Sequence, residues 1–575
     1  MARTLTRGAA ALTIAGGILL AWGGPGTSRI AEVKAEATKV TYVNAGADVS
    51  RALATAQPGS TIVLQGGSYP ALTAPAATRS APVTIAAAQG QTVTMPSVTV
   101  PAGAGNLRFE NLNLTGAGSG SAFSIGDNAH DIQLVNSVVH DTGDAILIQP
   151  GVTNVLFQGN DISSKDPGAT SGGIGLAFAS TSTLPGSPPG QPNDPPISNV
   201  TIRNNKFHDI GSDAIRPANF VNLVVEGNDI TGVKENGDHC DVLQVTFGGR
   251  DFIFRNNYVH DNAGQGLFIK DGEVTNARVE NNVFVHNSLE ITVSFFDTVN
   301  LTLVNNTVWD NTAGNVFLRT GIRNVVLRNN LFQSLDADST SEAISQTQQD
   351  YNVIAGGTVG PRGPHDVKAT PKFVNAAGYD YRLAAGSVGI DSGTADGAPA
   401  TDKACRARYD APGVANKGAG NPAFVDAGAL ELSPSSAAAD TAAPFNPGCV
   451  AGAPPAAAPT CCAGASKTAT CSWLKVGVAK RSGSFVRIRV VPKRDGTVKF
   501  AARVVWKTAK GKRHADVRAS SLKLRSGKAR TVRLRLGRTA RRALAHSKSA
   551  RLALAASGTG ANACKLSRTL AVRKA

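Results

Sequence analysis

Val200-Thr-Ile-Arg-Asn204-Asn205 recurs in close copies along this chain of 575 residues. Each copy is a short run of alternating residues that ends in Asn or Gly followed by Asn or Ser. The other copies are Ile132-Gln-Leu-Val-Asn136-Ser137, Val155-Leu-Phe-Gln-Gly159-Asn160, Leu223-Val-Val-Glu-Gly227-Asn228, Phe252-Ile-Phe-Arg-Asn256-Asn257, Ala277-Arg-Val-Glu-Asn281-Asn282, Leu301-Thr-Leu-Val-Asn305-Asn306 and Val325-Val-Leu-Arg-Asn329-Asn330. Most steps between copies are 23 to 25 residues.

The repeat length leaves room for three short strands and three turns. One such coil cannot bury its apolar side alone, so successive coils must stack to form a core. Asparagine suits a recurring turn because it tolerates the left-handed conformation and its amide can bond to the coils above and below. The Leu/Asn spacing of a leucine-rich repeat is absent. The sequence therefore predicts an all-β fold, a right-handed parallel β-helix solenoid.

Residues 38–432 form the predicted β-helix, and the stretch from about Val40 to Leu432 resembles the secreted pectate-lyase-like β-helix proteins. The segment from Val49 to Tyr69 resembles their N-terminal cap helix and first coil. Gly389-Ile-Asp-Ser-Gly393 and Phe424-Val-Asp-Ala-Gly-Ala-Leu-Glu431 resemble the closing segment of many bacterial β-helix surface proteins. The resemblance implies the fold and not the reaction, because this fold hosts lyases, hydrolases, epimerases and adhesins.

The N-terminus resembles an export signal. Arg3 and Arg7 precede an apolar run from Ala9 to Trp22, which is short for a membrane span. We assign residues 1–37 to a signal peptide, with an uncleaved anchor as the alternative. The expected location is secreted or associated with the cell envelope.

The C-terminal residues differ sharply in charge from the rest of the chain. Residues 471–575 contain 29 Lys and Arg against two acids, whereas the other residues have a net charge of −10. Apolar and basic residues alternate there, which predicts a small basic β-sandwich domain after a Pro/Ala-rich linker, residues 433–470. Aromatic side chains are scattered, so the expected partners are anionic cell-envelope polymers and not nucleic acid.

The amino-acid composition and the cysteine placement exclude several classes of protein and indicate an oxidising compartment. With 61 Gly and 5% aromatic residues, the sequence excludes collagen, coiled coils and polytopic membrane proteins. Six of the seven cysteines lie in the last third, which suits disulfides in an oxidising compartment. Cys471 with Cys564 is the preferred pair, although the connectivity stays open. The expected oligomeric state is a monomer.

The third strand of each coil carries the candidate site. Equivalent positions on successive coils lie about 4.8 Å apart, close to the repeat of an extended sugar chain. If Ile215, Leu243, Leu267, Ile291 and Val316 face inward, two outward columns result. The first column contains Arg216, Gln244, Phe268, Thr292 and Phe317, and the second contains Ala218, Thr246, Lys270, Ser294 and Arg319. We expect Gln244, Phe268 and Arg319 to bind a polysaccharide substrate.

The richest patch of polar residues lies between Asp213 and Lys270. A lyase acting on a uronate needs its carboxylate neutralised, a base for the α-proton and a proton for the leaving oxygen. Lys270 or His239 is the expected base, and Arg216 the expected clamp for the carboxylate. Calcium, held by hard oxygen ligands, is the second way to neutralise the carboxylate. Its expected ligands are Asp213, Asp241 and Glu235.

This chain order resembles the alginate lyase and chondroitinase B type of β-helix, where Lys and Arg stand on adjacent coils above acidic calcium ligands. The sequence departs from that type because Ser294 occupies the coil after Lys270 and Arg319 follows one coil later. The motifs Asp-Asp and Gly-His-Gly of polygalacturonases and Asp-Pro-His-Glu of mannuronan epimerases are also absent. The motifs in this sequence therefore do not identify which reaction of the β-helix enzymes it catalyses.

Several candidate residues have structural alternatives. Asp144, Asp213 and Asp241 share a turn position and can simply cap turns. The pairs His140-Asp141, His208-Asp209 and His260-Asp261 recur with the repeat, which favours a structural ladder. Lys270 can be a solvated surface lysine. The expected function is that of an exported lyase on an acidic, uronate-containing glycan, and the alternative is a non-catalytic surface β-helix that binds glycan or cell wall.

Overall fold

The computed structural model describes two compact units, Met1–Gly452 and Ala453–Ala575. The described residues of the first unit are 39–116, 120–140, 142–164, 173–180, 194–234, 240–288, 292–312, 314–338 and 342–432. Those of the second are 469–470, 474–482, 485–492, 496–508, 511–524, 530–536, 541, 551–558, 564–570 and 572–574. The predicted signal peptide and most of the predicted linker lie outside these ranges.

The first unit is a parallel β-solenoid of about 12 coils. Its first strands are Val40–Val43, Thr61–Leu64, Val83–Ala87, Gly105–Glu110, His130–Val135, Thr153–Gln158, Ile197–Arg203, Ala218–Glu226, the second half of Asp241–Arg255, Val274–Glu280, Thr298–Val304, Arg323–Arg328 and Thr347–Asp350. Its second strands are Gly67–Ser68, Val93–Met95, Asn113–Leu114, Val138–Val139, Asp161–Ser164, Lys206–Ile210, Asp229–Thr231, Tyr258–His260, Val283–Val285, Thr307–Trp309, Leu331–Ala337 and Val353–Gly356. Its third strands are Leu72–Thr73, Val98–Val100, Phe123–Ile125, Ile146–Ile148, Leu176–Phe178, Ile215–Arg216, the first half of Asp241–Arg255, Gln265–Ile269, Val293–Phe295 and Asn315–Leu318. Each strand pairs in parallel with its equivalents on the coils before and after it, which confirms the predicted fold.

The predicted cap helix is present at the N-terminal end of the solenoid. It spans Val49–Thr55, and the carboxylate of Asp48 accepts a hydrogen bond from the backbone N–H of Ser50. Val49 and Leu53 are buried in the core of the solenoid. Such a cap covers the edge strand, which otherwise presents unpaired backbone groups. The other described helices are Glu342–Ser345 and the single 3-10 turn Ala376–Gly378.

A buried ladder of amides joins the coils at the turn between first and second strands. Asn282 is fully buried. Its Oδ1 accepts from the backbone N–H and Nδ2 of Asn257, and its Nδ2 donates to Oδ1 of Asn306 and to the carbonyl of Phe254. The same pattern runs through Asn160, Asn205, Asn228, Asn257, Asn282, Asn306, Asn330 and Asn352. The residue before the ladder position has a left-handed backbone, as at Asn281 with φ 54°. The predicted asparagine ladder is confirmed.

The recurring His-Asp pairs also belong to the scaffold. Nε2 of His260 lies 2.9 Å from Asp229 of the preceding coil, and Nδ1 lies 2.6 Å from Asp261. His208 bonds to Asp161 and Asp209 in the same way. Burial lowers the pKa of His260, but the hydrogen bonds to the two aspartates outweigh it, so the pKa is raised overall. The pairs at His208 and His260 bridge neighbouring coils, as the ladder interpretation predicts, whereas Asp141 of the third pair lies outside the described residues.

Residues 373–432, which we term the cover segment, pack against the second strands of the later coils. The coils end at Gly356, before the predicted boundary at residue 432. Tyr381 belongs to one buried cluster with outward-facing Val283, Val285 and Trp309. Its hydroxyl donates to Asp310, and the hydroxyl of Tyr379 donates to Asp261. Apolar residues on the outer side of these strands are therefore buried by the chain itself.

Lys403 of the cover segment gives a testable pH dependence. It is 7% exposed, its ammonium lies 5.3 Å from the Tyr258 ring centroid, and burial lowers its pKa to about 8 against the attraction of Asp229 and Asp402. Between pH 8 and the unfolded value of about 10.5 only the unfolded chain keeps the proton, so the unfolding free energy rises with pH there. Below pH 8 the folded chain also keeps the proton on Lys403, so the folded state carries the full free-energy cost of burying this charge. We expect Lys403→Met to raise the unfolding free energy at pH 7 by roughly 1–3 kcal/mol, and this gain to vanish near pH 10.5.

Urea denaturation of both proteins at pH 7 and pH 10 measures this difference. Lys417→Met is the matched control, because Lys417 is an exposed lysine of the same segment. An equal gain at both pH values would show that the buried charge has no part in it.

The second unit contains two sheets. One has five strands, Ala469–Thr470, Gly496–Thr508, Gly511–Leu524, Arg551–Gly558 and Cys564–Leu570, and the other has four, Leu474–Ser482, Phe485–Pro492, Arg530–Arg535 and Val572–Lys574. Alternate apolar residues such as Val486, Ile488, Val532 and Leu534 are buried. The two sheets agree with the predicted β-sandwich. Cys471 lies outside the described residues, so its predicted pairing with Cys564 stays a prediction.

Candidate functional site

The outward face of the third strands forms two columns of side chains. Ile215 pairs with Leu243, Leu243 with Leu267, Leu267 with Val293, and Val293 with Val316, and all five are buried. The residues that follow them form the first column, which is Arg216, Gln244, Phe268, Ser294 and Phe317. Two residues further along lies the second column, which is Thr246, Lys270, Phe296 and Arg319, whereas Ala218, which the sequence placed at its start, is buried in the core.

One coil differs from the predicted register. The sequence suggested Ile291 as the inward residue, with Thr292 in the first column and Ser294 in the second. Val293 takes the inward position instead, so these two assignments are wrong by two residues. Thr292 is buried, Ser294 joins the first column, and Phe296 joins the second. An aromatic ring thus separates Lys270 from Arg319.

Arg216 is held by a buried aspartate. Its Nε lies 2.5 Å from Oδ2 of Asp213, and its Nη2 lies 3.2 Å from Oγ of Ser212. The carboxyl of Asp213 is fully buried, whereas the side chain of Arg216 is 32% exposed. Asp213 therefore orients the guanidinium and leaves part of it open to solvent.

The aspartates at the start of the third strands form a capping ladder. Oδ1 of Asp144 accepts from the backbone N–H of Ile174, which holds the equivalent position on the next coil. Oδ1 of Asp213 accepts in the same way from Asp241, and the carboxyl of Asp241 accepts from the backbone N–H of Gln265. The structural alternative for these three residues is thereby supported.

The aspartate pair tests the predicted calcium site. Both oxygens of Asp213 already bond to protein groups, Arg216 and the N–H of Asp241. Burial, and next the charge of Asp213, raise the pKa of Asp241 to about 8, which disfavours a second buried carboxylate here. No three His, Cys, Asp or Glu side chains of the described residues are arranged to hold a metal ion. The described residues thus do not fit calcium, and Glu235 lies outside them.

Lys270 is the exposed cation of this face. Its Nζ lies 5.6 Å from the ring centroid of Phe268, and within the described residues it forms no ion pair. Phe268 is only 7% exposed and packs edge-on against Phe296, with 6.1 Å between centroids. Phe268 therefore supports Lys270 and Phe296 and has little surface of its own for a ligand.

An open depression of about 570 Å³ adjoins Lys270 at the end of the third strands. Its lining residues are Thr246, Phe247, Lys270, Asp271, Gly272, Phe296 and Asp297. Aromatic, cationic and acidic groups thus meet in one concave surface, as expected of a site that binds a polar ligand with apolar faces.

Arg319 lies flat on an aromatic ring. Its Cζ is 3.5 Å from the ring centroid of Phe317 and 5.4 Å from that of Phe296. Its Nη1 donates to Asp338 at 3.3 Å, and its Nε lies 3.4 Å from Oγ of Ser294. These contacts fix the guanidinium in one orientation, which lowers the entropy lost when it binds an anion.

The structure brings some of the predicted site residues together and leaves others undescribed. Arg216 and Gln244 occupy neighbouring coils of the first column, and Lys270 and Arg319 share the second column. His239 and Glu235 fall outside the described residues, so their predicted roles stay predictions.

The sequence did not single out Phe296, Phe247, Asp271 or Asp297. Phe296 was missed because of the two-residue register error. The other three belong to turns after the third strand, where the repeat pattern carries no signal about which side chains face the site.

The fold and the comparisons together show the structural class of the repeat region. Residues 101–241, 190–292 and 247–358 match the family described as right handed beta helix region. The repeat region of this chain is thus a right-handed parallel β-helix. No curated protein matches the sequence significantly.

Three solved structures are among those that the chain is similar to. The pectate lyase Pel9A shares 17% identity over 69% of this chain and 97% of its own, with a TM-score of 0.38. PfbA, a surface adhesin of Streptococcus pneumoniae, shares 12% over 58% of this chain and 85% of its own, with a TM-score of 0.32. A variant of the PL6 family alginate lyase AlyGC shares 13% over 60% of this chain and 56% of its own, with a TM-score of 0.36. At these identities the similarities do not indicate an activity.

Proposed function

We propose that the third-strand face binds an acidic polysaccharide and that the chain is a lyase that cleaves it. The observation that carries this proposal is the exposed ammonium of Lys270, 5.6 Å from the Phe268 ring centroid, in the column that also holds Phe296 and, two coils away, Arg319. Cations neutralise a uronate, and the half-exposed ring of Phe296 can take the apolar side of a sugar ring. A row of equivalent positions about 4.8 Å apart matches an extended glycan laid along the solenoid.

The reaction requires three events at one sugar. The neutral amine of Lys270 takes the proton from the carbon next to the carboxyl group, and the electrons of that C–H bond form a carbon–carbon double bond. The bond to the leaving sugar oxygen breaks, and this oxygen takes a proton from solvent. Arg216 and Arg319 each lie two coils, about 10 Å, from Lys270, so they hold the carboxylates of neighbouring sugars and not the one at the reacting carbon. His239 remains the second candidate base.

A non-catalytic, glycan-binding surface protein is the second candidate function. Asp213 and Asp241 favour this second candidate, because structural hydrogen bonds already engage both carboxyl groups. Among the described residues of the two columns, Lys270 is then the only exposed side chain that could act as a base. Both candidates require the same ligand surface, so binding alone does not separate them.

Ultraviolet absorbance separates the two candidates, because a lyase creates a conjugated unsaturated uronate. The protein is incubated with alginate, pectate and glycosaminoglycans, with and without EDTA. We expect a rise in absorbance with at least one of these polymers. Binding to a polymer without any rise would select the surface-protein function, and loss of the rise with EDTA would support the calcium prediction.

The second unit is proposed to anchor the protein to anionic polymers of the cell envelope. The concentration of 29 basic residues in residues 471–575 supports this role. No helix within the described ranges is long and apolar enough to cross a membrane. Secretion or attachment to the envelope is part of the same proposal.

A further inference from the structure

Cationic side chains recur on every second coil of the third-strand face, and two of them form ion pairs, Arg216 with Asp213 and Arg319 with Asp338. Lys270 and Arg319 occupy the second column two coils apart, with Phe296 between them. Arg216 lies two coils before Lys270, in the neighbouring first column. In the described part of both columns, the coils between these cations carry uncharged side chains.

The uncharged coils present different chemistry. The coil between Arg216 and Lys270 offers Gln244 and Thr246, which can hydrogen-bond to hydroxyl groups. The coil between Lys270 and Arg319 offers the half-exposed ring of Phe296 above the buried hydroxyl of Ser294. A carboxylate placed over this ring loses hydration and meets the exposed carboxylate of Asp297 in the same depression, which is unfavourable although Arg319 lies 5.4 Å from the ring centroid. A neutral sugar loses nothing comparable there.

The distance between successive cations sets the repeat of the ligand. Two coils span about 10 Å, the length of roughly two sugar units. A polymer with a carboxylate on every sugar places a charge over each uncharged coil. A polymer in which acidic and neutral sugars alternate places its charges over Arg216, Lys270 and Arg319 alone.

We infer that the ligand is a polysaccharide of alternating acidic and neutral sugars, with one carboxylate per disaccharide. This inference rests on the proposed function, because it assumes that a glycan lies along the third strands. It adds the charge period of the substrate, that is, the spacing of its carboxylates along the chain. Electrostatic complementarity of this kind acts chiefly on specificity.

The test compares binding of octasaccharides of equal length at one salt concentration, by isothermal titration calorimetry. Hyaluronan and heparosan represent alternating polymers, and polygalacturonate and polymannuronate represent polymers of uronate alone. We expect at least about tenfold tighter binding of an alternating octasaccharide. Polygalacturonate is the decisive homopolymer, because a flat two-fold ribbon such as polymannuronate turns alternate carboxylates away from the protein and presents the same two-coil charge period.

Two variants change the spacing of cations along the third-strand face. Phe296→Arg and Thr246→Lys each place a cation on an uncharged coil, so each is expected to shift the preference toward the uronate homopolymers by about tenfold. Thr302→Arg, on the outer side of a first strand, adds the same charge away from the site and is the control. Melting temperatures verify that each variant is folded.

The outcomes separate this inference from the proposed function. Polygalacturonate that binds as tightly as the alternating polymers, with loss of binding in Lys270→Ala, overturns the alternating period and leaves the acidic-glycan site intact. Absence of binding to every polymer overturns both. Equal effects of Thr302→Arg and Phe296→Arg would show that net charge, and not its period, sets the preference.

Discussion

Lys270→Ala is expected to lower turnover of the cleaved glycan by about 10²-fold or more, because it removes the proposed general base. The side chain is exposed and forms no ion pair within the described residues, so the melting temperature should change little. Initial rates of absorbance increase, measured with the polymer that the parent cleaves, give the effect.

Lys270→Arg separates the two roles of this side chain. Arginine keeps the positive charge but does not give up its proton at any working pH. The variant should therefore retain glycan affinity while its turnover falls as far as that of the alanine variant. Lys206→Ala, at an exposed lysine of a second strand, is the control. Full turnover in Lys270→Arg would show that Lys270 only binds the substrate and that the base lies elsewhere.

The second large effect concerns the buried amide ladder. Asn282→Leu removes the acceptor of two hydrogen bonds from Asn257 and the donor of bonds to Phe254 and Asn306. Leaving several buried polar groups unsatisfied should lower the unfolding free energy by about 3 kcal/mol or more. Urea denaturation followed by circular dichroism measures the loss.

Thr302→Leu is the matched control for this substitution. Thr302 lies on the outer side of a first strand and is half-buried, so the same residue is introduced without breaking the ladder. We expect a change within about 0.5 kcal/mol for this surface position. A ladder variant as stable as the control would mean that the amides are not needed to hold the coils in register.

The coils could be predicted from the sequence because each signal repeats. The alternating strand and the turn pair, Asn or Gly followed by Asn or Ser, occur eight times, so an error in one copy is corrected by the others. The cover segment could be recognised at Gly389–Gly393 and Phe424–Glu431 only by resemblance. Its packing on Trp309 and Tyr258 depends on contacts between residues far apart in sequence, and no local pattern reports these.

The candidate site was predictable only in part. Arg216, Gln244 and Lys270 follow from the register of neighbouring coils. Phe296 did not, because Ile291 and Val293 are both apolar and two residues apart, so either choice preserves the alternation. The pairing of Asp213 with Arg216 was likewise hidden, since an aspartate that caps a turn and one that binds calcium occupy the same kind of position.

The amide ladder also gives the solenoid a polarity. Every Nδ2 points toward the next coil and every Oδ1 toward the previous one, so the side-chain dipoles from Asn160 to Asn352 are aligned head to tail. Their positive end is at Asn352, where the amide and the backbone N–H both donate to the carboxylate of Asp366. A negative charge at the positive end of aligned dipoles is stabilising, as at the N-terminus of an α-helix. Asp366 therefore ends the line of dipoles, and the coil that contains Asn352, to which Asp366 binds, is a natural place for the solenoid to stop.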